Sequence, residues 1–511
     1  MAGGVAFAKP EAEGPWPLPE GWCWVTIGDV VDPVGTTDPK RDLGEKKFHY
    51  IDLSALKDGH IANAQLISGL EAPSRARQVA QAGDTLFSCV RVYLQNIALL
   101  GTGFKNPVAS TAYCVMRPGP AVEPRYLNFF VRSRRFIEWM IPLQRGNSPP
   151  AVLDADVKAQ PFPLPPLTEQ HRIVARIDAL FAEIAEGEAA LAAARKGLET
   201  FRRALLKAAV TGELTKDWRT QNPTVGTKQE SGHDLLARIK MKRSIASTGK
   251  RRGKRNDASA IVLDITTLPQ LPEGWAWGTI DDIAIDTLIG LDRGAASQRP
   301  EPVGCPYIKM QNISVEGKVD LSNLVYVDAD AEETSKYAIM DGDVLFNTRN
   351  SKELVGKTGI VNHPAPGTIF NNNLMRIRSI DRSTNQWLAV ALVSPPFLER
   401  LEMIKKATTS VAAIYASDLF TLPIPIPPPA ETDEILRRIS KALSASADTL
   451  AVLDAEAADA ARLKQSILKA AFEGRLVPQD PADEPASALL ARLSAPAPEA
   501  RRGRGARTRA K

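Results

Sequence analysis

Apolar or small residues recur at alternating steps of four and three from Thr168 to Gly212. This spacing is the heptad period of a coiled coil, and it predicts one long helix. Such a helix, roughly 60 Å long at ~1.5 Å per residue, needs an equally long partner to cover its apolar edge. The predicted seam consists of Ile173, Ile177, Leu180, Ile184, Gly187, Leu191, Ala194, Leu198, Phe201, Leu205 and Ala208.

A second stretch, Glu431 to Gly474, has the same layout and is the predicted partner. Three polar residues interrupt its apolar register, which predicts a local phase shift between Leu450 and Ala460. The positions that keep the register are Ile435, Ile439, Ala442, Leu453, Ala460, Leu463, Ile467 and Ala470, and those that interrupt it are Ser446, Thr449 and Glu456. The two seams most simply pack against each other as an antiparallel pair within one chain.

The order of motifs before each long helix occurs twice. A repeat about 260 residues long, with a slowly growing offset, indicates a duplicated domain and not a solenoid. The matching pairs are Leu18–Trp22 with Leu271–Trp275, Ala82–Phe87 with Asp341–Phe346, Pro163–Glu169 with Pro425–Glu431, and Leu206–Ala209 with Leu468–Ala471.

Each copy begins with a part that mixes short β-rich runs with one helical segment, so we predict an α+β fold for it. The helical segments are Pro124 to Met140 and Asn385 to Ile404. Proline-rich runs then hold the chain extended before each long helix. Thr168 is the predicted N-cap, with Glu169 in the first turn. A proline-rich ligand for another domain is the competing interpretation of these runs.

Motifs and composition together predict seven segments. These are a flexible N-terminus (1–17), a first α+β domain (18–166), a first spacer helix (167–214), a basic flexible linker (215–268), a second α+β domain (269–429), a second spacer helix (430–476) and a basic disordered tail (477–511).

The net charge of +5 is less informative than its placement along the 511 residues. Arg238 to Asn256 and Arg501 to Lys511 hold fifteen Lys or Arg and no acid, so the rest of the chain is mildly acidic, at about −10. Both runs are poor in large apolar residues and are predicted to be disordered. Contact with phosphates is an alternative for each of them.

The composition places the chain in the class of soluble globular proteins. The sequence has no apolar run of membrane-spanning length and no signal peptide at its start, so the default prediction is a cytoplasmic location. Cys23, Cys89, Cys114 and Cys305 form no CxxC pair, and structural thiols are predicted rather than disulfides or a zinc site.

Motifs for catalysis are present only as fragments. Gly356-Lys-Thr358 lacks the earlier glycine of a P-loop. Ser148-Pro-Pro-Ala151 has alanine where amino methyltransferases place an aromatic residue. Asp38 with Glu45-Lys-Lys47 is a weak match to a nuclease core, and the five histidines make no metal-binding pair. We therefore predict no catalytic residue, no metal ligand and no cofactor on this chain.

Polar and mostly cationic residues follow the Gly-Asp-x-Leu-Phe motif and precede the proline run in both copies. Arg, Asn and Gln can read base edges, whereas Lys, Ser and Thr suit phosphates. The predicted DNA-binding residues are Arg91, Tyr93, Gln95, Lys105, Arg145, Asn147 and Ser148 in the first copy, and Arg349, Asn350, Lys352, Lys357, Asn372, Thr409 and Ser410 in the second. The second domain is net acidic, with fourteen Lys or Arg against nineteen Asp or Glu, so its cations must gather on one face to hold DNA.

Taken together, these motifs resemble the specificity subunit of type I restriction-modification systems. The residues that carry the resemblance are the two Leu-Pro-Glu-Gly-Trp openings, the Gly-Asp-x-Leu-Phe motifs, the Pro-Leu-Pro-Pro-Leu-Thr-Glu-Gln170 entry and the Leu206-Lys-Ala-Ala-Val-Thr-Gly-Glu-Leu214 ending. The second copy departs from the pattern at Pro429-Ala-Glu-Thr-Asp433, so its surface for partners can differ.

The resemblance implies two pseudo-repeated target-recognition domains, each reading one half of a bipartite double-stranded DNA site, joined by an intramolecular antiparallel coiled coil. It also implies partners: two modification subunits that methylate adenine with S-adenosylmethionine, and a restriction subunit driven by ATP, with Mg²⁺ on the partners only. The alternative from another class is a coiled-coil scaffold whose two α+β domains bind proteins.

Overall fold

The computed structural model describes residues 14–494, except for Asp58, 147–148, 224, 226–227, 248–264 and 409–410. Within that range the chain divides into two compact units. The first unit holds residues up to Ala192 together with those from Asp454 onward, and the second unit holds Ala193–Leu453. The predicted N-terminal segment 1–13 and the basic run 501–511 lie outside the described residues.

The first unit contains two four-stranded sheets. In one, the strand order is Val31–Asp32, Tyr113–Pro118, Thr85–Ser88 and Ile97–Leu99. In the other, it is Gln65–Ser68, Lys47–Ile51, Val108–Ser110 and Ala76–Val79, with the two middle strands parallel. A two-stranded ribbon pairs Leu56–Lys57 with His60–Ile61, and the short helices are Ile27–Val30, Pro39–Asp42, Pro124–Val131, Arg134–Met140 and Asp154–Lys158.

The second unit repeats this strand order. Its four-stranded sheet runs Asp286–Ile289, Leu374–Arg378, Val344–Asn347 and Thr358–Ile360. A three-stranded sheet runs Val325–Val327, Cys305–Ile308 and Ile369–Phe370, again with one parallel pair, and a third sheet runs Arg349–Asn350, Ala412–Ala413 and Lys406–Ala407. The short helices are Lys216–Gln221, Gly232–Ser247, Ile280–Ile283, Ala331–Lys336, Arg382–Leu392, Pro395–Ile404 and Ala416–Leu419.

The Gly-Asp-x-Leu-Phe motif is built around a buried aspartate. Gly83 adopts φ +92°, a left-handed conformation that suits glycine, and turns the chain into the strand. Asp84 is fully buried and accepts hydrogen bonds from Nε and Nη2 of Arg117 at 3.0 and 2.8 Å. In the second unit Asp343 accepts from the same two atoms of Arg378 at 2.5 and 2.7 Å. The motif therefore fixes an internal ion pair in each unit.

In each unit, the proline-rich segment before the long helix pairs with the strand that directly follows the opening Leu-Pro-Glu-Gly-Trp motif. Cys23–Thr26 pairs antiparallel with Pro161–Leu164, and Ala276–Thr279 pairs in the same register with Pro423–Ile426. The proline run is thus an edge strand and packs inside its own unit, which argues against its use as a ligand for another domain.

Two long helices follow these entries, Leu167–Val210 and Pro429–Phe472. The predicted N-cap at Thr168 is wrong, because the helix already begins at Leu167 and the Thr168 hydroxyl donates to Asp483. Glu169 lies in the first turn, as predicted. The glutamate is buried there and accepts a 2.9 Å hydrogen bond from Nε1 of Trp22.

The seam of the first long helix differs from the prediction at three of its eleven positions. Gly187, Ala194 and Phe201 are exposed, and Phe201 is 47% exposed. The half-buried positions are instead the next residues along the helix, Glu188, Arg195 and Arg202. Long charged side chains cover apolar surface with their methylene groups while their polar ends reach partners, so they displace the smaller neighbours from the seam.

The second long helix shows the same effect. Ile435, Ile439 and Ile467 are buried as predicted, but Leu463 is 51% exposed and its neighbour Lys464 is half-buried. The Lys464 Nζ donates to both carboxylate oxygens of Glu188, at 2.8 and 2.7 Å.

The predicted helical segment of each domain is broken into two helices. In the first unit Pro124–Val131 ends before Ser133, whose hydroxyl accepts from the amide of Phe136 and starts Arg134–Met140. In the second unit Arg382–Leu392 and Pro395–Ile404 are separated at Ser394, where the following proline cannot continue the first helix.

Parts of the segments predicted to be flexible are folded. In the linker, Gly232–Ser247 is a helix that buries Leu235, Leu236 and Ile239 in the core of the second unit. In the tail, Ala486–Ser494 is a helix that buries Leu489 and Leu490 in the core of the first unit. Each segment carries apolar residues at helical spacing, and burial of that face outweighs the cost of ordering it. The linker residues 248–264 lie outside the described residues.

The end of the predicted flexible N-terminus is also ordered. Trp16 packs edge-on against Trp24, with ring centroids 4.6 Å apart, and its Nε1 donates to the carbonyl of Phe472 at 3.2 Å. Flexibility is therefore the wrong prediction for residues 14–17.

The tail helix gives a direct test of this packing. Leu490→Ala is expected to destabilise the first unit by about 2 to 3 kcal/mol, because it leaves a cavity at a residue only 5% exposed. Hydrogen exchange of the first unit measures the loss. Leu463→Ala, at an exposed position of the same unit, should leave exchange nearly unchanged. Equal effects of the two variants would contradict the assigned packing.

Candidate nucleic-acid interface

In the first unit the predicted residues after the Gly-Asp-x-Leu-Phe strand form a tight exposed loop. Arg91 and Gln95 both adopt φ +51° and bracket the short 3-10 helix Val92–Leu94. Val92 is buried, whereas Arg91, Tyr93 and Gln95 are exposed. All three predicted side chains of this loop thus lie on one accessible tip.

The second predicted patch of this unit lies beside that loop. Val90 forms a β-bridge with Ala151, and the amide of Arg91 donates to the carbonyl of Pro150 at 2.9 Å. Arg145 forms a second bridge to Ala151 and is 59% exposed, with Nη2 3.0 Å from Asp156. The two patches, far apart in sequence, therefore meet. Asn147 and Ser148 fall outside the described residues.

Lys105 lies elsewhere on the first unit. It is exposed, and its amide donates to Nδ1 of His49 at 2.7 Å, on the sheet that contains Lys47–Ile51. No described contact joins it to the loop around Tyr93, so the structure does not bring it together with the other predicted residues.

The second unit has the corresponding arrangement. Arg349–Asn350 pairs with Ala412–Ala413, which in turn pairs with Lys406–Ala407. Arg349 is exposed on the outer strand of this small sheet. Thr409 and Ser410 lie outside the described residues.

The turn that holds Asn372 adjoins this sheet. The amide of Thr348 donates to the carbonyl of Asn373 at 2.9 Å, and Nδ2 of Asn347 donates to the same oxygen at 3.0 Å. Asn372 itself is half-buried, between Ile369–Phe370 and Leu374–Arg378. The predicted segments around Arg349, Lys406 and Asn372 therefore lie next to one another in the second unit.

Two predicted residues of the second unit serve its internal structure. Lys357 is half-buried, with Nζ donating to the carbonyls of Met310 and Ile313 at 2.8 and 2.5 Å, and burial lowers its pKa. Asn350 donates to Oδ1 of Asn347 at 2.9 Å and accepts from the amide of Ser351. Their side chains hold the loops in place, which a sequence pattern does not distinguish from ligand contact.

Cations of the net acidic second domain, residues 269–429, gather at this sheet. Arg349 and Lys406 are on its strands, and Nζ of Lys405 donates to the carbonyl of Lys352 at 3.4 Å. Most other arginines of this unit are paired internally, as Arg293 is with Glu333 and Arg376 with Asp286. The sheet thus groups three cations within the net acidic second domain, and two of them, Lys405 and Lys406, are also paired with Glu402 and Asp418.

Sequence reasoning missed the exposed apolar residues at the interface. Leu94 is 52% exposed on the tip beside Tyr93, and Tyr415 is 52% exposed with Nζ of Lys406 5.0 Å from its ring centroid. The repeat offers a signal for the second residue, because Tyr415 follows Ile414 as Leu153 follows Val152, and Leu153 is 53% exposed.

Chemistry-bearing clusters are not found in the described part of the chain. No three His, Cys, Asp or Glu of those residues are placed to hold a metal ion. Cys89 and Cys114 are buried free thiols, and burial raises the pKa of Cys23 to about 11. None of the described helices is long and apolar enough to cross a membrane.

Comparison with known proteins finds similarity to one family. The profile of the type I restriction modification DNA specificity domain matches residues 19–192. The EcoKI specificity subunit of Escherichia coli K12 is 24% identical over 397 residues, which cover 75% of this chain and 74% of that protein. The StySPI specificity subunit of Salmonella potsdam is 23% identical over 510 residues, covering 94% and 96%.

A solved structure extends the match to the fold. One chain of a structure described as the basis of complex assembly and conformational transition of the type I R-M system superposes with a TM-score of 0.63 and 27% identity. The superposition covers 90% of this chain and all of that one. With the paired loops and the doubled strand order, these matches show that the chain is similar to specificity subunits of type I restriction-modification systems.

Proposed function

We propose that this chain is the non-catalytic DNA-specificity subunit of a type I restriction-modification complex, and that its two units each read one half of a bipartite DNA site. The observation that carries the proposal is the same loop arrangement in both units. In each, the segment after the Gly-Asp-x-Leu-Phe strand lies against the segment before the proline entry. Similarity to type I specificity subunits supports DNA as the ligand of these loops.

The proposed contacts divide by chemistry. Exposed Gln95 and Arg349 have side chains that suit base edges, and Arg91 and Lys352 suit phosphate. Tyr93, Arg145 and Asn372 complete the described part of the interface, and Asn147, Ser148, Thr409 and Ser410 are proposed from the sequence. Lys105 is set apart, and Lys357 and Asn350 support the loops instead of contacting DNA.

The two long helices are proposed to form an antiparallel spacer. Within the first unit Glu188 pairs with Lys464, and Thr168 lies farther along against Asp483. Within the second unit Nη2 of Arg195 is 3.4 Å from the carbonyl of Leu453, and Asp217 pairs with Arg438. In each unit, residue numbers rise along one partner as they fall along the other, which supports opposite directions.

Methylation and restriction are assigned to partner subunits. Two modification subunits would use S-adenosylmethionine to methylate adenine, and a restriction subunit would use ATP and Mg²⁺. On this proposal the present chain supplies only recognition and spacing.

Methylome sequencing of cells that express this chain with its modification partner tests the proposal. We expect N6-methyladenine in one bipartite motif with a fixed gap. A methylome with no such motif, from a complex shown to assemble, would overturn the proposal and favour a protein-binding scaffold.

Replacing Arg349 with alanine is expected to weaken binding of the complex to its cognate site by ~1–3 kcal/mol, the usual worth of a bidentate base contact. Binding to random DNA should weaken less. Fluorescence anisotropy with both duplexes measures the difference. Arg299→Ala, which removes a cation of the same unit that is paired with Asp328, is the matched control. Equal losses on the two duplexes would assign Arg349 to a phosphate instead.

Lengthening the spacer should change the gap in the methylated motif. One heptad inserted into Thr168 to Gly212, with a matching heptad in the facing part of Pro429–Phe472, adds roughly 10 Å at ~1.5 Å per residue. That length corresponds to about three base pairs at ~3.4 Å each. A heptad inserted in one helix alone is the control and should abolish methylation. An unchanged gap in the doubly extended protein would argue against the spacer role.

A further inference from the structure

The tip of the loop between Thr85–Ser88 and Ile97–Leu99 presents two adjacent apolar side chains to solvent. Tyr93 is 50% exposed and Leu94 is 52% exposed, while Val92 beside them is 1% exposed and anchors the loop in the core. Neither exposed side chain contributes to the hydrophobic clusters of the first unit. Their exposure is therefore not explained by the packing of the unit.

The backbone holds this tip in one strained conformation. Arg91 and Gln95 both occupy the left-handed region at φ +51°, which residues other than glycine rarely adopt. The amide of Leu94 donates to the carbonyl of Arg91 at 2.8 Å, and that of Gln95 donates to the carbonyl of Val92 at 3.0 Å. Such strain persists where surrounding structure enforces it and where a fixed shape serves a function.

The corresponding loop of the second unit differs. After Arg349–Asn350 it continues with Ser351, Lys352 and Glu353, and its most exposed apolar residue is Leu354 at 38%. None of the described residues of that loop has a left-handed backbone except Gly356. Among the described residues, the exposed apolar tip with left-handed residues at both ends is thus found in the first unit and not in the corresponding loop of the second.

We infer that Tyr93 and Leu94 form a wedge that enters between base pairs of the half-site read by the first unit and unstacks them. The inference rests on the proposed function and goes beyond it, because it assigns a mechanical role to one recognition loop. Apolar side chains inserted at a base step kink the duplex, and stacking on an aromatic ring replaces part of the lost base stacking. Arg91 and Gln95, at the two ends of the tip, hold the neighbouring phosphate and base edge.

Charge favours DNA over a protein as the occupant of this tip. Arg91 is exposed at its base, and Arg145 is 59% exposed on the segment bridged to it. A wedge that works by insertion needs cations at its base, because the phosphates on both sides must be held while the step opens.

The test uses the assembled complex with its modification subunits and duplexes of the methylated motif. A 2-aminopurine probe replaces in turn each adenine of the two half-sites other than the methylated one, which a methyltransferase flips out of the stack, and its fluorescence rises when stacking is lost. We expect a rise of several fold at a step in one half-site only. Tyr93→Ser/Leu94→Ser should abolish that rise and weaken cognate binding roughly tenfold, the worth of about one stacked base.

Leu66→Ser/Leu70→Ser is the matched control, because those leucines are 50% and 58% exposed on another part of the same unit. It should keep both the fluorescence rise and the affinity. Thermal unfolding verifies that both double variants remain folded. No rise in either half-site, or a rise that persists in the Tyr93/Leu94 variant, would overturn the wedge.

The proposed function is tested separately in the same experiment. If the wild-type complex binds the motif more tightly than random DNA but gives no fluorescence rise, the wedge fails and the recognition role stands. If it shows no preference for any motif, the recognition role fails as well. Loss of binding to a partner protein, with DNA binding unchanged, would assign Tyr93 and Leu94 to a protein interface and reject the wedge.

Discussion

Replacing Glu431 with alanine is expected to destabilise the second unit by about 3 to 5 kcal/mol, the usual cost of removing one partner of a buried ion pair. Glu431 is 1% exposed at the start of the second long helix. Its carboxylate accepts from Nε1 of Trp275 at 2.8 Å, from the hydroxyl of Thr215 at 2.7 Å, and from Arg219. Alanine leaves all three donors without their acceptor, and each unpaired buried donor adds its own desolvation cost.

Glu199→Ala is the matched control for this prediction, because Glu199 is an exposed helical glutamate of the same unit. It should change the free energy of unfolding by no more than about 0.5 kcal/mol. Urea unfolding combined with hydrogen exchange separates the loss in the second unit from any change in the first. A loss under about 1 kcal/mol for Glu431→Ala would mean that water or rearranged donors replace the carboxylate.

This glutamate illustrates what the sequence could predict. The repeat aligns Trp22 with Trp275 and Glu169 with Glu431, and the structure joins tryptophan to glutamate in both units, at 2.9 and 2.8 Å. Motif matching singled out all four residues. It could not reveal that they contact one another, because about 150 residues separate the two partners of each pair.

The long helices were predictable to within one residue at the start and four at the end, but three of the eleven positions of the first seam were not. The heptad rule favours Gly187 and Phe201 over Glu188 and Arg202, since it weighs apolarity alone. The observed burial follows the long charged residues, whose polar ends reach Lys464 and the carbonyl of Glu316. Those contacts depend on tertiary placement, which a single-sequence pattern does not contain.

The two overlooked docking helices carried a signal in the sequence. Leu235-Leu236-Ala237-Arg238 in the linker matches Leu489-Leu490-Ala491-Arg492 in the tail. Both arginines pair with a glutamate eight residues earlier, Arg238 with Glu230 and Arg492 with Glu484. The high density of Lys and Arg in these segments favoured disorder, although the repeat extends through them.

The sequence predicted the two loop regions that form the candidate site in each unit. It did not predict which individual side chains of those loops are exposed and which hold the loops in place. Lys357 and Arg349 follow the same motif and have the same charge. One donates to two internal carbonyls and the other is exposed on an outer strand. Lys357 is a structural cation because tertiary packing places the Met310–Asn312 turn beside it. Arg349 remains a candidate DNA contact.

Asp84→Ala is expected to destabilise the first unit by about 3 to 5 kcal/mol, because the guanidinium of Arg117 is left without its buried partner. Asp84 is fully buried and also accepts from the amide of Gln81 at 2.9 Å, so the substitution removes three hydrogen bonds. Asp178→Ala is the control. Asp178 pairs with Arg125 in the same unit, but it is 34% exposed, and exposed pairs contribute only about 0 to 1 kcal/mol.

A second variant separates the unpaired charge from the lost packing. Asp84→Leu/Arg117→Met removes both charged groups and should recover part of the stability lost in Asp84→Ala, because a buried ion pair contributes little beyond an apolar pair of similar volume. Hydrogen exchange of Thr85–Ser88 and Tyr113–Pro118, the two paired strands beside the aspartate, measures both effects. If the double variant is no more stable than Asp84→Ala, the turn at Gly83 depends on the carboxylate itself, through its bond from Gln81, and not on neutralising Arg117.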